Sequence, residues 1–228
     1  EVKRNEDEFT AVQWNEKGHK YNNQGDYRQA IECLRKAIEL DPKLATSWNN
    51  MGYAYGELGD YNKEIKCCQK AIELDPKYAM PWSNMGTAYG NLGDYNKAIE
   101  CFRKAIELDP KDAYSWNNMG YAYGELGDNN KTIECYHKAI ELDPTFAVPW
   151  YNMGCTYGEM GEYNKSIECH RKAIELNPKD AAPWNDMGTA YYHLGNYPKA
   201  VECLRKAVEL EPESERYQRN LEAAKAKL

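Results

Sequence analysis

Apolar and small residues return along this chain at a fixed interval. Trp stands at 14, 48, 82, 116, 150 and 184 and Pro at 42, 76, 110, 144, 178 and 212, so both series step by 34 residues. With Trp placed at position 4, six units run 11–44, 45–78, 79–112, 113–146, 147–180 and 181–214. Position 8 is then Gly, position 11 Tyr and position 27 Ala in every unit, with Ile or Val at positions 21 and 28. Self-similarity on such a period means one supersecondary unit that cannot bury its apolar face alone and must stack on its neighbours.

Within a unit, a segment such as 81–92 (PWSNMGTAYGNL) ends at Gly93-Asp94. Gly supplies a left-handed helix stop and Asp can cap the helix that follows. That next segment, near 95–108 (YNKAIECFRKAIEL), stops before Asp109-Pro110, because the residue before Pro is driven out of the helical region. Each unit therefore reads as an antiparallel helix pair. Pro81, Pro149 and Pro183 fall at the start of first helices, where a missing N–H costs nothing. Gly at position 8 and Ala at 20 and 27 allow close approach of the paired helices, while Trp, Tyr and the branched residues fill the space between pairs. Position 20 departs from Ala at Glu64, Thr132 and Ser166, and Glu64 reads as a local weak point.

The ends read as caps. Residues 215–228 form one more helix with Tyr217, Leu221, Ala224 and Leu228 on one stripe, a solvating lid for the last unit. Residues 1–10 are a charged, loosely ordered leader. The first unit carries Lys17 where its five counterparts have Met, as an end unit would. No initiator Met opens the chain, which is what a piece of a longer protein would show.

The set of Trp, Gly, Tyr, a small residue at 20, Ala at 27 and Pro at 32 on a 34-residue period resembles the tetratricopeptide repeat family over about nine-tenths of the chain. The resemblance implies an all-α, right-handed superhelical solenoid of six helix-turn-helix repeats with a C-terminal capping helix, and a non-enzymatic scaffold for protein–protein interaction. At about 100° per residue, positions 4, 7, 8 and 11 of the first helix share the packing side, and positions 2, 6, 9 and 13 lie opposite. In this family that second face lines a concave groove. Position 6 reads Glu16, Asn50, Asn84, Asn118, Asn152 and Asp186. A carboxamide both donates and accepts, so a row of them can hold the N–H and C=O groups of an extended peptide. The row resembles the asparagine ladder in the tetratricopeptide region of O-linked N-acetylglucosamine transferase. An equally plain origin is duplication of an Asn that solvates an exposed face. Tyr53, Thr87 and Tyr121 at position 9 and Glu57, Asn91, Glu125 and Glu159 at position 13 complete the expected peptide-binding groove. The carboxylate clamp that holds chaperone C-termini in this family is absent, since position 5 carries no Lys.

Composition narrows the partner. There are 19 Tyr and 6 Trp against 3 Phe, and a net charge of −7 with a pI near 5.3. Nucleic-acid binding rests on clustered Lys and Arg, so no nucleic-acid partner is expected. The groove positions are neutral to acidic, which points to an extended protein or peptide ligand that is neutral to mildly basic. No apolar run reaches the roughly 20 residues that span a bilayer, so no membrane partner and a cytoplasmic location are expected. Cys33, Cys67, Cys101, Cys135, Cys169 and Cys203 share position 23. Equivalent atoms in stacked layers should lie about 8–10 Å apart, beyond the roughly 7 Å a disulfide tolerates. No Cys or His pairs face each other across a turn, so no metal is expected. His19, His137, His170 and His193 occupy unrelated positions and assemble no catalytic set. No cofactor motif is present. Glu100 with Lys104, Glu134 with Lys138 and Glu168 with Lys172 are expected to pair on an exposed side. The competing class is a structural element that self-associates through repeat ends or acts as a spacer. A consensus-derived repeat is disfavoured by the repeated Cys and by irregularities such as Glu64 and Lys17.

Overall fold

The computed structural model describes residues 9–228, and the leader expected at 1–10 lies outside the described residues except at its last two positions. Phe9 packs on Trp14 with ring centroids 5.3 Å apart. Thr10 closes a capping box with Gln13, so these two residues belong to the folded array. The described residues form thirteen α-helices and no strand. They divide into two compact units, one reaching to Ala122 and one from Tyr123 to Leu228.

The first unit contains α1 (Ala11–Asn23), α2 (Tyr27–Leu40), α3 (Ala45–Glu57), α4 (Tyr61–Leu74), α5 (Ala79–Asn91), α6 (Tyr95–Leu108) and most of α7 (Ala113–Glu125). Helices pair as α1 with α2, α3 with α4 and α5 with α6, and each pair docks on the next through α2 against α3 and α4 against α5. The second unit contains the end of α7 with α8 (Asn129–Leu142), α9 (Ala147–Glu159), α10 (Tyr163–Leu176), α11 (Ala181–His193), α12 (Tyr197–Leu210) and α13 (Glu215–Lys225). Here α9 pairs with α10 and α11 with α12, while α8 packs on α9, α10 on α11 and α13 on α12.

The turns form for the reasons the sequence suggests. Gly25, Gly59, Gly93, Gly127, Gly161 and Gly195 all have φ between 74 and 80°, a region where a Cβ is strained. The side chains of Asp26, Asp60, Asp94, Asp128 and Asn196 accept the N–H of the third residue of the following helix. Glu162 makes no such cap at α10 and instead pairs with Lys165. At the second-helix ends, Asp41, Asp75, Asp109 and Asp143 are extended with φ from −130 to −139°, as the following Pro demands. Pro81, Pro149 and Pro183 are the third residues of their helices and are fully buried.

Close approach is carried by positions 8, 20, 24 and 27. Ala30, Ala37, Ala71, Ala98 and Ala105 are wholly buried, as are Ala200 and Ala207 in the second unit. A Cβ on Gly86 would stand 2.8 Å from Phe102 Cε1, and one on Gly188 2.7 Å from Leu204 Cγ. Gly18, Gly86, Gly154 and Gly188 thus each receive the side chain at position 24 of the partner helix.

Three local expectations change. Lys104, Lys138 and Lys172 pair forward with Glu107, Glu141 and Glu175 at 2.6 to 2.7 Å, three residues on, rather than back to Glu100, Glu134 and Glu168. The Lys stem leans along the helix where the forward carboxylate is nearer. These exposed pairs contribute at most about 0.5 kcal/mol each. Leu228 lies beyond the end of α13 and is 72% exposed, so the capping stripe is Tyr217, Leu221 and Ala224. Glu64 is not a gap in the packing: it is buried, and its carboxyl lies against Gly56, where a Cβ would overlap it.

Candidate functional site

In the first unit, the first-helix face opposite the packing side is built from positions 2, 6, 9 and 13. Met80 and Tyr114 at position 2 are 54% and 49% exposed, and Tyr53 and Tyr121 at position 9 are 39% and 50% exposed. Asn50, Asn84, Asn118 and Thr87 are half-buried beside them, and Glu57 and Asn91 are exposed. Tyr27 is half-buried, and its hydroxyl donates to Glu57 at 2.9 Å, a bond that pushes the phenol up to about 12. Tyr53 and Tyr27 meet edge to face at 6.2 Å, and Tyr121 and Tyr95 at 6.5 Å. Nothing lies within 4 Å of a Cβ placed on Gly90. The space it leaves is a cavity of about 170 Å³ lined by Thr87, Gly90, Phe102, Tyr114, Asn118 and Tyr121.

The asparagines already hold neighbouring repeats together. Asn50 Nδ2 donates to Asn15 Oδ1 at 3.1 Å and Asn84 Nδ2 to Asn49 Oδ1 at 3.0 Å, each across 35 residues. The capping helix repeats the contact, with Asn220 Nδ2 donating to Asn185 Oδ1 at 2.8 Å. Position 6 thus ties to position 5 of the preceding repeat, using one of the two amide hydrogens. Asn118 instead accepts from Asn117 Nδ2 at 3.0 Å. Sequence reasoning missed this structural duty, although Asn at both positions 5 and 6 signals it.

Asn152 and Glu159, on α9 of the second unit, are half-buried and exposed respectively, and Glu125 at the end of α7 is exposed. Near them the pattern breaks. Position 5 is Tyr151, position 9 Cys155, position 24 His170 and, in the next repeat, position 6 is Asp186. All four line one cavity of about 370 Å³ between α9, α10 and α11, with Glu159, His193 and Arg216 at its edges. Tyr151 Oη donates to Asp186 Oδ2 at 3.0 Å, and Cys155 Sγ lies 3.9 Å from the same oxygen. Asp186 Oδ1 accepts from Arg216 at 2.9 Å and from Asn185 at 2.8 Å. His170 is 1% exposed, and its imidazole lies over Gly154, where a Cβ would sit 2.8 Å from Nδ1. That Nδ1 is buried with no hydrogen-bond partner.

Burial sets the ionisation of these groups. It holds the His170 imidazole neutral, lowering it to about 4 against an opposing pull from Asp186. It pushes the Cys155 thiol up to about 12, helped by the Asp186 charge, and raises Tyr151 in the same way. In the first unit, burial and then the Glu57 charge push Glu64 up to about 8. The eight cysteines are all free thiols. The expectation of no metal looked for ligands close in sequence, whereas ligand atoms of Cys155, His170 and Asp186, from three different helices, lie within 4.8 Å of one another.

The tetratricopeptide repeat family model matches residues 45–78, 79–112, 113–146, 147–180 and 181–214, and a further TPR repeat model matches 18–59. The chain is a tetratricopeptide repeat protein. Proteins of this family mediate protein–protein interaction and scaffolding, and the fold is typically non-catalytic. No curated protein sequence matches the chain significantly. Among solved structures, the tetratricopeptide array is similar to a chain of the APC/C hetero-tetramer Cut9-Hcn1, with a TM-score of 0.83 at 20% identity over 94% of this chain. The array spans 43% of that chain's length. It is similar to MamA at 29% identity and a TM-score of 0.65, over 72% of this chain and 95% of that one. It is similar also to YrrB at 21% identity and a TM-score of 0.65, over 83% of this chain and 97% of that one. Among the described residues no helix is long and apolar enough to cross a membrane.

Proposed function

We propose that this tetratricopeptide array binds an extended segment of a partner protein along the exposed faces of its first helices. The observation that carries the reading is the row of exposed Tyr53, Met80, Tyr114 and Tyr121 beside the cavity at Gly90. Large apolar side chains on one face, next to half-buried amides, are what a peptide groove needs: flat rings for side chains, and donors and acceptors for its backbone. Asn118 lies in the cavity wall and retains its amide hydrogens for a ligand. Asn50 and Asn84 contribute through the hydrogen that the inter-repeat bond leaves over, and Asn152 is the matching residue of the second unit. Glu57, Asn91, Glu125 and Glu159 at the helix ends favour a neutral or mildly basic segment. YrrB, similar to this chain in fold, is described as a TPR protein with an unusual peptide-binding site, which supports the class of ligand.

Selection of a random peptide library on the purified chain tests this. Enriched peptides should bind the double variant Tyr114→Ser/Tyr121→Ser at least about thirtyfold more weakly, the scale of two aromatic hot-spot contacts. Asn118→Ala should weaken them about tenfold while leaving the helical content unchanged. Peptides whose binding is indifferent to all three changes would place the interaction elsewhere.

A further inference from the structure

We propose that Cys155, His170 and Asp186 form a binding site for a divalent late-transition metal, with Zn²⁺ as the best-fitting ion. At position 24 the other repeats carry Leu34, Cys68, Phe102, Tyr136 and Leu204, all buried. Only the fifth repeat buries an imidazole there, with a nitrogen that finds no protein partner. At position 9 the third and sixth repeats carry Thr, and at position 6 the second to fifth carry Asn, where this cluster has Cys155 and Asp186. Cys155, His170 and Asp186 stand on three helices and are far apart in sequence, yet their ligand atoms gather within 4.8 Å.

The donors suit the ion. Thiolate, imidazole and carboxylate are the three side-chain ligand types of zinc, and zinc sites with three protein ligands leave a fourth position for water. Bond lengths of about 2.0–2.3 Å put ligand atoms about 3.5 Å apart around a tetrahedral ion. Side-chain rotation of about 1 Å closes the present spacing, and the 370 Å³ cavity gives it room. The two oxygens of Asp186 divide the work. Oδ1 is held by Arg216 and Asn185, while Oδ2 faces Cys155 and Tyr151. Arg216 and Asn185 are thus the outer partners that orient a ligating carboxylate. On binding, the Cys155 thiol gives its proton to solvent and the sulfur donates its pair to the metal. The ion's two charges are then balanced by the thiolate and the carboxylate, with no change of oxidation state.

The test titrates the reduced, chelator-treated full chain with Zn²⁺ by calorimetry and with Co²⁺ by absorption. One equivalent should bind, and Co²⁺ should show a thiolate charge-transfer band with the d–d bands of a four-coordinate ion. Three variants install residues that sister repeats already carry at these positions, so each keeps the packing: His170→Phe, Cys155→Thr and Asp186→Asn. Each should weaken binding at least about tenfold, and Cys155→Thr should also abolish the charge-transfer band. Circular dichroism of each variant confirms the helices. Absence of a stoichiometric site in the parent, or binding that survives all three substitutions, overturns the proposal, the second outcome placing the ion on other cysteines.

Discussion

Among the described residues, two helix pairs bury a carboxyl or an imidazole where sister pairs do not, and they differ in what surrounds it. Between α3 and α4, Glu64 replaces the usual small residue and fills the space left by Gly56. The nearby charge that acts on it is Glu57, which opposes its ionisation, so it packs as a neutral acid. Between α9 and α10, His170 replaces an apolar residue over Gly154 and faces a thiol, a phenol and a carboxylate that is itself held by Arg216. The first is a void filled with an acid; the second is a set of converging donors. Burial alone therefore does not mark a site, and the company of the buried group does.

The largest expected effect is on pH dependence. An unfolded Glu64 ionises near 4.5 and the folded one near 8, so between these values the folded state holds more protons. Its stabilising contribution is complete below pH 4.5 and falls as pH rises to 8, by on the order of 2–4 kcal/mol. Glu64→Gln should flatten that slope and raise stability at pH 8, measured by urea unfolding at pH 4.5, 6 and 8. His170 runs the other way in metal-free protein. The unfolded imidazole takes its proton near 6.5 and the folded one near 4, so the contribution is present above 6.5 and lost as pH falls. His170→Phe should reduce the acid-side loss by about 1–3 kcal/mol, seen in the same titration at pH 4.5 against pH 7.

Steric tests sharpen the contrast. A Cβ at Gly154 meets the rigid imidazole ring at 2.7 Å, so Gly154→Ala should cost about 1–3 kcal/mol by thermal unfolding. At Gly56 the group met is the end of a flexible Glu side chain, and Gly56→Ala should cost less, because the carboxyl can swing to water. The smallest effect belongs to the surface: Lys104→Ala, which breaks only the exposed bond to Glu107, should change stability by less than about 0.5 kcal/mol.

The fold was legible because its signals are local and repeated: a Gly stop, an Asp cap and a pre-proline break recur until the helix-turn-helix reading has no rival. Side-chain partnership across repeats was less so. The bond from Asn84 to Asn49 needs the stacking geometry that sets position 6 of one repeat beside position 5 of the last. The Cys155, His170 and Asp186 cluster was harder still, since its members stand on three helices and no spacing rule joins them. The available clue was irregularity: Asp186 ends the run of asparagines at position 6, and His170 is the one imidazole at position 24. Glu64 shows why that clue misleads when used alone, for it too departs, and it is explained by Gly56.

The most direct test of this contrast is a thermal unfolding series with and without Zn²⁺ on the reduced parent, Glu64→Gln and His170→Phe. A ligand that binds only the folded chain stabilises it by RT ln(1 + L/Kd), where L is the free ligand concentration, and so raises Tm. The account predicts a Zn²⁺-dependent rise in the parent and in Glu64→Gln, and a much smaller one or none in His170→Phe. An equal rise in His170→Phe would contradict it, showing that the buried imidazole, like Glu64, does no more than fill space.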